Sequence, residues 1–227
     1  KNEKDNLYNA QINKYKNLAD LIKVKNNDKI LEVGCGWGGF SEFLATNYNA
    51  KVTAITISKN QYDAVREKIF KKQLNELVSV KLVDYRDISG KFDKIVSIEM
   101  FEAVGEKYWT EYFKILRKNL KKDGCIGLQT ITIDNKFFTK YRKFPDFIQT
   151  YIFPGGMLPS IEEMKKVLKK NGLQVDKHFM FGDHYAKTLE YWRLSFEKSW
   201  ENIKEMGFNN TFRRMWDYYL SYCQGGF

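Results

Sequence analysis

The sequence predicts an α/β fold with a central, mostly parallel sheet and helices on both of its faces. Short apolar runs rich in β-forming residues alternate along the chain with longer segments whose apolar residues recur at helical spacing. The first run is followed at once by a cluster of glycines and a further helical pattern. Strands that alternate with helices are joined by crossovers, so they are expected to pair in parallel.

The individual elements follow from the spacing of apolar residues and from turn signals. The predicted strands are 30–33, 51–57, 78–83, 92–98, 125–133 and 173–181. The predicted helices are 5–23, one that begins near 40, 59 to about 72, 108–120, 160–171, 186–206 and 210–222. Capping-box patterns beginning at Ser58 and Ser160 mark two helix starts, and Asp123-Gly124 is predicted to end the helix 108–120.

Residues 29–41, K-I-L-E-V-G-C-G-W-G-G-F-S, give the strongest functional signal. A strand, a glycine turn and a helix in this order form a nucleotide-binding layout, because glycines let the backbone approach a ligand. Glu32, two positions before Gly34, would repel a pyrophosphate but suits a ligand with an amino group. The pattern E-x-G-x-G-x-G therefore predicts the S-adenosylmethionine loop of a Rossmann-like class I methyltransferase. A glycine-rich turn that binds no ligand is the alternative.

The alternation of strands and helices breaks at residues 134–159, which are rich in aromatic residues and contain all three prolines. A loop of this length inside a domain is usually functional. We expect a single methyltransferase domain over 1–227, with the cofactor-binding half at 1–133. The part 134–227 would hold the substrate-binding insertion, the sixth strand and C-terminal helices that together form a lipid pocket.

Composition and charge narrow the class of protein and of partner. The 227 residues are 43% hydrophobic, which excludes a disordered chain. The 17 Phe, 14 Tyr and 5 Trp exceed the usual content of such a core, so some are expected to line an apolar cavity. The net charge of +10 suits membrane head groups or nucleic acid, although a general bias toward Lys would give the same charge.

The three cysteines, Cys35, Cys125 and Cys223, are far apart and form no C-x-x-C pair. They indicate a reducing cytoplasm and no zinc site. No signal peptide or membrane-spanning run is visible. The chain does not begin with Met, and the strand 173–181 would lack the seventh strand that neighbours it in this type of sheet. We therefore expect the chain to be trimmed at both ends.

Seven blocks resemble the cyclopropane-fatty-acyl-phospholipid synthase family, which includes the mycolic acid cyclopropane synthases. The block at 151–160 is very specific, and all seven run in the family's order. They are L-E-V-G-C-G-W-G-G-F (31–40), I-T-I-S-K-N-Q (55–61), D-Y-R-D (84–87), F-D-K-I-V-S-I-E-M-F-E-A-V-G (92–105), Y-I-F-P-G-G-M-L-P-S (151–160), G-D-H-Y (182–185) and F-R-R-M-W-D-Y-Y-L (212–220).

The resemblance implies transfer of the methyl group of S-adenosylmethionine to the cis double bond of an unsaturated phospholipid acyl chain. The product would be a cyclopropane, or a methyl-branched or methylene chain. A carbocation forms, which aromatic faces stabilise, and the base implied by the family is bound bicarbonate. The implied enzyme is cytoplasmic and peripheral on the inner face of the membrane. Its partners are the phospholipid and an anionic membrane surface, without nucleic acid, and a homodimer is left open.

The resemblance also implies the residues that bind the cofactor. The glycine loop would lie against the methionine part, the end of the second strand would face the ribose, and an acidic residue with its aromatic neighbour would bind adenine. The full set is Glu32, Gly34, Cys35, Gly36, Gly38, Thr56, Ile57, Gln61, Asp84 and Tyr85.

For the bicarbonate site the resemblance implies Glu102, Gln129, the backbone N–H of Ile131, and Tyr185 as catalytic residues. Gln129 stands where many members have His, and Ala103 replaces the His of the usual F-E-H-V-G. Gln can donate a hydrogen bond to an anion but cannot carry charge. The predicted site is therefore an altered one.

Two other classes of protein are open from the sequence. Plant amine N-methyltransferases resemble this family, and in such an enzyme Glu99 or Glu102 would bind the amine. A non-catalytic lipid-binding protein is disfavoured by the intact glycine loop. The positive charge and the block at 151–160 favour a lipid substrate over an amine.

Overall fold

The computed structural model describes residues 6–227, and over that range the sheet has five strands, all parallel, in the order β3-β2-β1-β4-β5. The strands are β1 (Lys29–Val33), β2 (Lys51–Thr56), β3 (Val78–Leu82), β4 (Phe92–Ile98) and β5 (Leu120–Gln129). The predicted parallel sheet is confirmed. The strand order reverses between β1 and β4, and ligands of open α/β sheets bind in the crevice at the carboxyl ends of the strands beside such a reversal.

Helices cover both faces of the sheet, as predicted. They are α1 (Leu7–Leu21), α2 (Gly39–Tyr48), α3 (Lys59–Lys71), α4 (Trp109–Asn119), α5 (Asn135–Lys143), α6 (Ile161–Lys170), α7 (Gly182–Lys198), α8 (Trp200–Glu205) and α9 (Asn210–Gly226). A π-helical turn, Ile148–Ile152, lies between α5 and α6. The predicted start of α1 at Asp5 lies outside the described residues.

Two hydrophobic cores follow from the two-residue period of the strands. Ile30 and Val96 pack with α1, α2 and α3 on one face of the sheet. Leu31 and Ile95 pack with α4 and α6 on the other. A third, smaller core joins α7, α8 and α9 around Trp200. The C-terminal helices therefore form a unit with its own apolar interior.

The predicted sixth strand, 173–181, is wrong: these residues form neither strand nor helix, and most are exposed. A strand exists only where a neighbour accepts and donates its backbone hydrogen bonds. Across the described part of the chain, β5 is the last strand on its side of the sheet. Residues 173–181 therefore have no neighbouring strand with which to pair.

The predicted boundary between α4 and β5 is also wrong. The helix ends at Asn119 and the strand begins at Leu120, not at residue 125. Leu120 lies opposite Phe92, whereas Cys125 lies opposite Lys94, so the register of β5 shifts between these two pairs. The Asp123-Gly124 turn signal thus marks this irregularity in the strand and not the end of the helix.

The insertion 134–159 has more regular structure than the predicted loop, since α5 and the π-helical turn lie in it. The predicted helix 186–206 begins earlier, at Gly182, and is divided into α7 and α8 at Ser199. In the range 6–227, no helix is both long and apolar enough to cross a bilayer.

Candidate functional site

The glycine loop between β1 and α2 has left-handed backbone at three positions. Gly34, Gly36 and Gly38 have φ angles of 75°, 52° and 72°. A Cβ at Gly34 would lie 2.8 Å from Met100 Cγ, and one at Gly38 would lie 2.6 Å from Val65 Cγ1. At Gly36 an added Cβ would meet nothing within 4 Å. Gly34 and Gly38 are therefore required by packing, whereas Gly36 borders open space that a ligand could fill.

Glu32 lies beneath this loop, with only 3% of its surface exposed. Its carboxylate accepts a hydrogen bond from the Ser41 hydroxyl in the first turn of α2. Burial raises the pKa of Glu32 to about 7, although the Ser41 bond and the charge of Lys68 oppose the shift. The acidic residue of the loop is thus a buried group that links the end of β1 to α2.

Glu32 should make the stability of the ligand-free protein depend on pH. Its carboxyl group has a pKa near 4.5 when unfolded and about 7 when folded, so the folded state binds more protons between these values. The free energy of unfolding should therefore fall as pH rises from 4.5 to 7, by up to about 3 kcal/mol from this group. Urea unfolding of wild type and Glu32→Gln at pH 5 and pH 8 measures it. A stability difference between the two proteins that is the same at both pH values would contradict the raised pKa.

Cys35, the first residue after Gly34, is held inside the loop. Its backbone N–H donates to the Ile55 carbonyl at 2.9 Å, and only 5% of the residue is exposed. Burial raises the pKa of the Cys35 thiol to about 12. The Cys35 backbone therefore anchors the loop, and its buried thiol is not a reactive thiolate.

The predicted ribose and adenine residues lie after β2 and β3. The Thr56 hydroxyl donates to Gln61 Oε1 at 2.7 Å, while Ile57 beside it is 76% exposed. Asp84 caps a short 3₁₀ turn and pairs with Arg86 at 2.7 Å, and the hydrogen bond from Arg86 lowers the pKa of Asp84.

Tyr85 packs edge-on against the buried Tyr112 ring, with the ring centroids 5.1 Å apart. The ten predicted cofactor residues thus all lie at the carboxyl ends of β1, β2 and β3. Their contact with a cofactor stays a prediction.

A second group of predicted residues meets beyond β4 and β5, around two carboxylates. Glu102 Oε1 accepts hydrogen bonds from the Ile131 N–H at 2.5 Å and from the Thr130 hydroxyl at 2.9 Å. Glu102 Oε2 is buried without a partner. Burial raises the pKa of Glu102 more than these hydrogen bonds lower it, and the charge of Glu99 raises it further.

Glu99 lies at the centre of the remaining donors. Gln129 Nε2 donates to one carboxylate oxygen at 2.5 Å, and the Tyr185 hydroxyl donates to the other at 2.6 Å. Burial and the Glu99 charge both raise the pKa of Tyr185, so its hydroxyl stays protonated and donates. The structure therefore joins Gln129 and Tyr185, as predicted for a common site, but joins them through Glu99.

Glu99 was named from the sequence only as an amine-binding alternative. Its backbone is left-handed, with φ of 52°, directly after β4. A residue other than glycine in this conformation is strained, which often marks a functional position. The sequence held one usable signal: an acidic residue at the carboxyl end of β4, where the strand order of the predicted fold reverses.

Helix α1 contributes two further residues that the sequence did not indicate. A Cβ on Gly39 would collide with the Tyr15 hydroxyl, so α1 lies across the glycine loop. Lys14 is buried enough for its pKa to be lowered, and the charge of Glu99 opposes that shift. The cation of Lys14 therefore lies within electrostatic range of Glu99.

The insertion and the C-terminal helices meet beside this group. The Met157 N–H donates to the Glu102 carbonyl at 2.9 Å. Tyr185 stacks on Phe227 with the ring centroids 4.5 Å apart, and Phe153 lies edge-on to Tyr219 at 6.1 Å. Aromatic rings of the insertion and of the C-terminal helices thus pack beside the Glu99 and Glu102 group, and a lipid pocket there stays a prediction.

A parallel sheet of this order, with a glycine loop after β1 and functional groups after β4 and β5, is the fold of the class I methyltransferases. The chain belongs to the mycolic acid cyclopropane synthetase family, which it matches over residues 1–227.

Among curated relatives, it is 37% identical over 223 residues to the cyclopropane-fatty-acyl-phospholipid synthase of Escherichia coli, covering 98% of this chain and 56% of that protein. It is 34% identical to the tuberculostearic acid methyltransferase UfaA1 of Mycobacterium tuberculosis, covering 96% of this chain and 51% of that protein. The chain thus spans about half the length of these relatives. The structure of the mycolic acid cyclopropane synthase CmaA1 complexed with SAH and CTAB matches with a TM-score of 0.90 and 28% identity, covering 97% of this chain and 80% of that one.

Proposed function

We propose that this chain is an S-adenosylmethionine-dependent C-methyltransferase that acts on the double bond of unsaturated phospholipid acyl chains. The observation that supports it most is the placement of the carboxylate pair next to the glycine loop. Met100, between Glu99 and Glu102 in the chain, packs against Gly34 of the loop. A methyl donor held by the loop would therefore lie near the groups that can take up a proton.

The residues fit a methyl donor of this kind. The space beside Gly36 is open, and the loop lies at the reversal of the strand order, where such ligands bind. An alkene is a weak nucleophile, so the enzyme's main task is to hold the two reactants close and in line. Addition of the methyl group leaves a positive charge on the acyl chain, and the rings of Tyr185 and Phe227 could stabilise it.

The product follows from where the proton leaves. Loss of a proton from the new methyl group gives a cyclopropane when the freed C–H electron pair closes the ring. A hydride shift before proton loss gives a methylene chain, and neither product requires a reductant. A saturated methyl branch would require an additional hydride donor.

The alternative is transfer to a small-molecule amine. Such an enzyme would bind the ammonium group through Glu99 or Glu102. Both oxygens of Glu99 already accept hydrogen bonds from Gln129 and Tyr185. The Glu102 oxygen that lacks a partner is buried. This geometry favours the lipid substrate.

Incubation with methyl-labelled S-adenosylmethionine distinguishes the two substrates. The purified protein is offered vesicles of unsaturated phospholipid, vesicles of fully saturated phospholipid, or a panel of amines. Label should enter only the unsaturated lipid, and mass and NMR analysis of the labelled chain then identifies the product. Label in the saturated lipid or in an amine would contradict the proposal.

We also propose that the enzyme is cytoplasmic and binds peripherally to the inner, anionic face of the membrane. Phe137 and Lys140 lie on α5, and Phe144 is the residue that caps its C-terminus; the two phenylalanines are 55% and 67% exposed. We name these three residues the α5 face. Exposed aromatic residues beside basic ones fit a lipid surface, since the rings enter the interface and the charges meet anionic head groups.

The α5 face can be tested by vesicle sedimentation. Replacing Phe137 and Phe144 together by serine should weaken binding to anionic vesicles about tenfold or more, because an inserted Phe is worth roughly 1.5–3 kcal/mol. Phe70→Ser, at a 71% exposed position on α3, is the matched control and should bind normally.

Binding of the wild type should also weaken as salt rises, since charges are screened within about 8 Å at physiological ionic strength. Equal binding to neutral vesicles would mean that the positive charge reflects composition bias. Whether a homodimer forms can be measured by light scattering on the same samples.

A further inference from the structure

The donors predicted to hold bicarbonate already bind the protein's own carboxylates. Gln129 and Tyr185 donate to the two oxygens of Glu99, and the Ile131 N–H donates to Glu102. Bicarbonate would offer the same planar pair of oxygens that Glu99 offers here. The residues present therefore do not fit a separate bicarbonate ion, because the anion and the Glu99 carboxylate would need the same two donors.

We propose that Glu99 is the general base of the reaction and takes the place of bicarbonate. The proposal rests on the methyl transfer proposed above. After the methyl group has been added, a carboxylate oxygen of Glu99 takes one proton from the acyl chain. The C–H electron pair then closes the ring or forms the methylene double bond. The proton passes from Glu99 to water when the product leaves, so the carboxylate is regenerated.

The position of Glu99 supports this role more than that of Glu102. Glu99 directly follows β4 at the reversal of the strand order, and the next residue, Met100, packs on the glycine loop. Its left-handed backbone is one that glycine would adopt with less strain. Glu102 instead holds the end of β5 through Thr130 and the Ile131 N–H. We therefore assign Glu102 as a positioning residue.

Glu99 interacts with groups from several elements of the fold. Gln129 and Tyr185 each donate one hydrogen bond, fixing the two carboxylate oxygens. The charge of Lys14 on α1 and the hydroxyl of Tyr219 on α9 interact electrostatically with Glu99. The two hydrogen bonds orient the carboxylate from β5 and α7, and no added ion is required.

The first test removes bicarbonate. Wild-type turnover on unsaturated vesicles in degassed, bicarbonate-free buffer should stay within about twofold of turnover with bicarbonate. Glu99→Gln, which keeps the shape but not the charge, should lose about 10²–10⁴-fold, the usual worth of a general base. Affinity for S-adenosylmethionine and the melting temperature should stay near wild type. Glu111→Gln, an exposed position on α4, is the matched control.

The second test restores an anion. In Glu99→Gly the donors Gln129 and Tyr185 are released, so added bicarbonate or formate should recover part of the lost rate. In a ¹³C NMR titration, wild type should bind no bicarbonate, whereas Glu99→Gly should bind it. Saturable binding by wild type, slow wild-type turnover without bicarbonate, or normal turnover of Glu99→Gln would each overturn the proposal. If wild type labels no lipid at all, the proposed function fails, while the titration still decides whether Glu99 fills the anion site.

Discussion

A Gly36→Val protein is expected to fold but to show no methyl transfer above background. An added Cβ at Gly36 meets no protein atom within 4 Å, so the side chain enters the space left for the ligand. The left-handed backbone makes any L-residue unfavourable there by about 1–2 kcal/mol, a modest part of the roughly 5–15 kcal/mol that stabilises a domain. Calorimetry with S-adenosylmethionine should show no binding, and the thermal transition should remain cooperative.

Gly38→Val is the comparison for the stability of Gly36→Val. Its backbone is also left-handed, with φ of 72°, so the conformational strain is similar. There, however, the Cβ would lie 2.6 Å from the buried Val65 side chain, and overpacking typically adds about 1–3 kcal/mol. Gly38→Val should therefore melt clearly lower than Gly36→Val. Normal cofactor affinity in Gly36→Val would show that the loop does not bind the ligand where we place it.

Trp109→Ala is expected to lower the free energy of unfolding more than Gly36→Val, Gly38→Val or Tyr108→Ala. Trp109 is 2% exposed and packs against Phe101 and Phe138, with ring centroids 5.4 Å and 6.4 Å away. It therefore joins α4 to the turn that contains Glu102 and to α5. Truncating a buried Trp to Ala typically costs about 3–5 kcal/mol, which would leave the protein only marginally folded.

The neighbouring Tyr108 provides the control for this prediction. It is the N-cap residue directly before the same helix but is 47% exposed, and Tyr108→Ala should change stability by no more than about 0.5 kcal/mol. Urea unfolding of both variants and wild type measures the difference. A Trp109→Ala protein as stable as Tyr108→Ala would show that the packing around the Glu102 turn is not as close as the ring distances indicate.

The sequence was sufficient for β1 to β4 because each is a short run of β-forming residues bounded by turns or helix starts. Phe92–Ile98 has the bounds predicted from its pattern, and Val78–Leu82 differs from the prediction by one residue. The glycine loop was also predictable, since its geometry depends on residues adjacent in the chain. Local sequence determines such features directly.

The sequence was not sufficient where structure depends on a distant partner. The apolar pattern of 173–181 indicates a strand, but a strand needs a paired neighbour, and β5 is the last strand on that side among residues 6–227. The bond between Tyr185 and Glu99 joins residues 86 positions apart. The family resemblance could place Gln129 and Tyr185 in one site, but it could not identify the carboxylate that they share.

The hydrogen bond from Tyr185 to Glu99 couples the position of helix α7 to the orientation of the Glu99 carboxylate. Tyr185 lies on a helix of the C-terminal unit, which also packs against the insertion through pairs such as Phe147 and Tyr218. If, under the proposed function, an acyl chain binds between these parts, a shift of α7 would also change the direction of the Glu99 carboxylate. By linkage, the aligned carboxylate would then favour binding of a correctly placed chain. The depth of a double bond would thus be coupled to the orientation of the proposed proton acceptor.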